Sequence, residues 1–132
     1  MNNCWAYKNP YEQEDNDRDA NPYVVKALLR QLVNIVGVDQ EKITVYDASR
    51  PIPNWFYNRV YYKEYPSHLQ PEFPSVHFID AYGGAKGREK VIASNIKIHF
   101  HDGTVRTLPK CVAEADYIIN MPLLKRHPIN NG

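Results

Sequence analysis

Residues 21–46 constrain the fold most tightly, because they spell a capped amphipathic helix followed within a short turn by a strand. Asn21 is a good helix N-cap, and Pro22 suits the first helical position, where its missing N–H costs nothing. Val25, Leu28, Leu29, Leu32, Ile35 and Val36 recur at helical spacing, with Lys26 and Arg30 on the other side. Gly37 can take the left-handed conformation that ends a helix. The pattern predicts a helix over 22–36, packed on a sheet through Leu28, Leu29, Leu32 and Val36. Lys42 to Tyr46 (KITVY) is short and β-branched, and predicts a strand. A helix, a tight turn and a strand make half of a βαβ unit, which sets the class as α/β.

The rest of the chain extends this to a partial mixed sheet with parallel central strands, the one clear amphipathic helix and an antiparallel β-hairpin. Residues 1–20 are polar, with an acidic run from Glu12 to Asp19, and read as an arm. Many of the 10 prolines and 10 tyrosines fall in residues 51–75, an aromatic and proline-rich excursion in which Pro53 to Val60 suits one or two helical turns. Val76 to Ile79 suits a strand. Asn95 to Phe100 alternates cleanly and is followed by Asp102-Gly103, a strong hairpin turn, and by Thr104 to Leu108 as the returning strand. That register sets Phe100 opposite Val105, with apolar groups on one side. Lys110 to Ala115 suits a short helix. Asp116 to Met121 is almost continuously apolar, the pattern of a strand buried on both faces, and is expected to lie centrally, parallel to 42–46. All 132 residues read as one partial α/β domain.

Composition narrows the function classes. With 16 Lys plus Arg against 15 Asp plus Glu, the net charge is +1, which gives no field to attract nucleic acid or a membrane surface. No apolar run is long enough to span a bilayer. The two cysteines, Cys4 and Cys111, are far apart and outside any C-x-x-C pattern, so this chain alone lacks the thiolates for a zinc or iron–sulfur site. Two buried thiols fit best, and a single disulfide stays open.

Three segments together resemble a known family: Asn21 to Leu29, Ile43 to Asp47, and Ala115 to His127, the last carrying A-D-x-x-I-N-x-P-x-L-K-x-H. The chain is similar here to the family catalogued as domain of unknown function 362. The resemblance implies an uncharacterised protein, with the residues here forming an internal fragment of a longer domain whose remainder is a partner. Some members are described as iron–sulfur proteins with ferredoxin-type cysteine runs. This chain has no such run, so a cluster would have to come from other parts of a longer parent.

Candidate site residues follow from position. Asp47 and Arg50 lie just past one expected strand, and Lys125 and His127 just past another. If the strands are parallel, the four share a sheet edge where α/β ligands collect, and an anionic small molecule is the expected ligand. The plainer alternative makes Lys125 and His127 ordinary loop residues. His99 and His101 sit two apart on a strand and are the fallback metal ligands, although a wet strand face explains them as well, and no metal is expected. The Gly83 to Gly87 loop with Lys86 lacks the order of a phosphate-binding loop. The aromatic segment 55–65 either seals the sheet or contacts a protein partner, the latter making the chain a self-sufficient interaction module. No catalytic motif is present, so no reaction is assigned.

Overall fold

The computed structural model describes residues 11–12 and 20–122. Helix α1 (Pro22–Arg30) starts as expected, with the Asn21 side chain accepting from the Tyr23 N–H at 2.9 Å. The helix continues as a wider π turn, Gln31–Val36, and stops at Gly37 with φ 81°. Val25 and Leu29 are buried and Leu28 and Leu32 half-buried, but Val36 is 68 % exposed. The cause is the winding. An i→i+5 turn rotates less per residue than an α turn, so Ile35 and Val36 drift off the core face while Val33 stays against it. The helix packs mainly on α2 (Asn54–Tyr61), and the two share one core with Ile43 and the sheet residues Val45 and Phe78.

The central sheet has three parallel strands in the order β1 (Thr44–Tyr46), β4 (His77–Asp80), β5 (Glu89–Lys90). Val45 pairs with Phe78, and Ile79 with Glu89. The crossover from β1 to β4 contains the segment 51–75. It holds α2 and an antiparallel ribbon of β2 (Tyr62–Glu64) and β3 (His68–Pro71). Its aromatics seal the sheet, since Phe56, Tyr57 and Phe73 are buried and Tyr57 meets Phe78 edge to face at 4.9 Å. A buried lysine ties the layers together. Lys26 Nζ donates to the carbonyls of Tyr62 and Lys63 and lies 3.2 Å from Glu72, which also takes a fork of bonds from Arg30 at 2.6 and 2.9 Å.

Two further sequence expectations change. The hairpin β6 (Ala93–His99) and β7 (Val105–Pro109) forms, but with His99 opposite Val105. Phe100 N–H donates to Thr104 O at 2.9 Å, so the loop is His101-Asp102-Gly103, one residue longer than a two-residue turn. That slip moves Val105 to the His99 face and sets Ile98 beside Arg106, so the expected apolar match is lost and Ile96, Ile98 and Phe100 stay exposed. The second change is the run 116–121. After the short helix α3 (Lys110–Ala113) the chain has no regular structure here, and Tyr117 is 91 % exposed. Continuous apolarity marks a buried strand only when a sheet edge and covering helices receive it, and among the described residues none does.

Candidate functional site

Because β1 and β4 are parallel, the residues ending them come to one sheet edge. Asp47 is buried there, and its Oδ1 accepts from Ser49 N–H at 3.0 Å, Ser49 Oγ at 3.3 Å and Arg50 N–H at 3.0 Å. This is an Asx turn that folds the chain back over the strand. The sequence reading missed the second carboxylate. Asp80 ends HFID as Asp47 ends TVYD, and this shared strand-end acid was the available signal. Asp80 is fully buried, taking Tyr82 N–H, Gly83 N–H and the Tyr11 hydroxyl on Oδ1 and Ile52 N–H on Oδ2, at 2.7 to 3.1 Å. Gly84 N–H donates to the Tyr11 oxygen at 2.8 Å. The first two amides of the glycine loop, Gly83 and Gly84, are therefore bound to protein acceptors. Arg50 joins Asp47 in its turn, while Lys125 and His127 lie outside the described residues.

The histidine pair does not keep its expected geometry. His99 is the last residue of β6 and His101 belongs to the loop, so they do not share a strand face. Among the described residues no group of three or more His, Cys, Asp or Glu could hold a metal ion. Cys111 is free and half-buried, and burial pushes its thiol up, which lowers its reactivity. Cys4 lies outside the described residues.

The structure has a cleft elsewhere. Strand β5 begins only at Glu89, opposite Ile79, so Val76 to Phe78 have no strand beside them on that side among the described residues. A cleft of about 710 Å³ opens in the gap, lined by Tyr57, Tyr61, His77, Phe78, Arg88 and Glu89 among others. His77 Nδ1 lies 2.8 Å from Glu89 Oε1. With the carboxylate accepting there, the neutral ring carries its lone pair on Nε2.

Arg88 is the unusual member. It is 7 % exposed. Its Nη1 donates to the Lys86 carbonyl at 2.6 Å and its Nη2 to Asn54 Oδ1, but the buried Nε has no acceptor. Its guanidinium carbon lies 4.4 Å from the Tyr57 ring centre and 5.3 Å from that of Tyr11. Burial pushes the guanidinium below its ordinary range, while Tyr57, Asp80 and Tyr11 pull the other way. The Tyr57 phenol is pushed up to about 12, first by burial and then by Tyr61, which stacks on it at 4.9 Å.

No known protein family, curated protein or solved structure matches the chain. No helix of the described residues is long and apolar enough to cross a membrane.

Proposed function

We propose that the chain is a ligand-binding α/β piece of a domain-of-unknown-function 362 type protein, and that its cleft beside β4 and β5 takes a small molecule bearing a carboxylate or phosphate. Arg88 carries this reading. A buried charge costs several kcal/mol unless it is paired. Here the described residues supply two neutral acceptors and two ring faces, with no carboxylate within ion-pair distance and the buried Nε left without an acceptor. Asp80 acts on the guanidinium only from beyond ion-pair distance, and an anion in the adjoining cleft adds an opposite charge next to it. The carboxyl edge of the sheet carries two buried carboxylates, Asp47 and Asp80, which disfavour an anion unless Lys125 and His127 offset them. The segment 55–65 turns most of its rings into the core or the cleft wall, which speaks against the interaction-module reading.

The test is thermal unfolding of the full chain with inorganic phosphate and with succinate. A ligand at a hundred times its Kd adds about 2.7 kcal/mol of stability, a clear rise in midpoint. Ser75 is exposed and lines the cleft, so Ser75→Asp places a negative charge there without touching the core, and is expected to remove the response. Arg88→Lys keeps the charge, loses the fork and weakens the response. An unresponsive wild type, or an equal response in Ser75→Asp, refutes the reading.

A further inference from the structure

The cleft's charges are layered by depth. The positive group, Arg88, is 7 % exposed, whereas the side chains of Glu89 and its partner His77 are 60 % and 45 % exposed. Glu41, also lining the cleft, is exposed. A purely anionic ligand must approach Arg88 past two carboxylates, and a purely cationic one meets a buried guanidinium. A molecule with an anionic head and a cationic tail meets opposite charge at both depths. The volume, about 710 Å³, leaves room for a chain between the two ends.

We infer that the ligand is a small zwitterion, whose carboxylate or phosphate faces Arg88 and whose ammonium group faces Glu41 and Glu89. This rests on the anion-site reading above and narrows it to a class. Glu89 contributes although His77 holds one of its oxygens, because the second oxygen remains as an acceptor.

Calorimetric titration of the full chain with γ-aminobutyrate, butyrate and butylamine separates the possibilities. The three probes share a similar chain and differ in their charged ends. The expected order puts γ-aminobutyrate tightest, with an advantage over butyrate that falls as salt rises. Glu41→Gln and Glu89→Gln, both at exposed positions, should each weaken the zwitterion by about two- to fivefold and leave butyrate unchanged or tighter. Equal binding of butyrate and γ-aminobutyrate, or Gln variants that bind the zwitterion unchanged, overturns the zwitterion inference and leaves the anion site standing. Binding of neither carboxylate overturns both.

Discussion

Replacing Gly87 with Ala tests the packing that builds the cleft. Gly87 has φ 76°, and a Cβ built on it would lie 2.1 Å from the Tyr57 hydroxyl oxygen and 2.6 Å from the ring carbon bearing it. Two costs add. An L residue in the left-handed region costs about 1–2 kcal/mol. Forcing a methyl into a packed site costs about 1–3 kcal/mol more. Tyr57 has little room to yield, since Tyr61 stacks on it and the Arg88 guanidinium lies against its ring. The sum is about 2–5 kcal/mol. Gly37→Ala supplies the reference, because Gly37 has nearly the same φ, 81°, and nothing within 4 Å of the built Cβ. It should lose only the backbone part, about 1–2 kcal/mol. Urea unfolding followed by circular dichroism gives both values, read at constant m. Equal losses for the two variants would refute the close approach of Gly87 to Tyr57.

Further outcomes follow from particular residues. Burial alone would raise the Glu72 carboxyl, but hydrogen bonds from Arg30 and Lys26 outweigh it and hold it below its ordinary value of 4.5. Its contribution is therefore complete above that pH and fades as pH falls through the lowered folded value; Glu72→Gln should cost about 1.5–3 kcal/mol at pH 7 and less in acid. The Tyr57 phenol behaves in the opposite sense: raised from 10.0 to about 12, it favours the fold fully below pH 10 and loses that contribution as pH climbs through 12. Tyr57→Phe should flatten this alkaline loss in a pH series of unfolding midpoints. Ile118→Thr should shift stability by no more than about 0.5 kcal/mol, as at an exposed coil position, and a loss of several kcal/mol would restore the buried strand.

Local signals in the sequence were legible where they needed no distant partner. The Asn21 cap, Pro22 and Gly37 mark the ends of the helical segment, and KITVY and VHFI overlap β1 and β4. What failed depended on tertiary contact. The π turn after Arg30 has no composition of its own, and it carries Val36 away from the core. The hairpin slipped by one residue because neither of its faces is buried, so nothing enforces the apolar match. The run 116–121 has the residues of a core strand without a partner among the described residues. Asp47 and Arg50 follow β1, as the strand pattern implied, but the cleft depends on how short β5 is and on burial of Arg88, and neither is written in local pattern. Asp80 could have been found, as the acid that ends its strand as Asp47 follows β1.

The most direct test of the cleft as the ligand site is a backbone amide chemical-shift map of the full chain during titration with succinate. Saturable shifts are predicted at Ser75, His77, Gly87, Arg88 and Glu89, which line the cleft, with Ala48 to Arg50 at the opposite edge unmoved. Shifts confined to Ala48, Ser49 and Arg50, or no saturable shift at any residue, would contradict it.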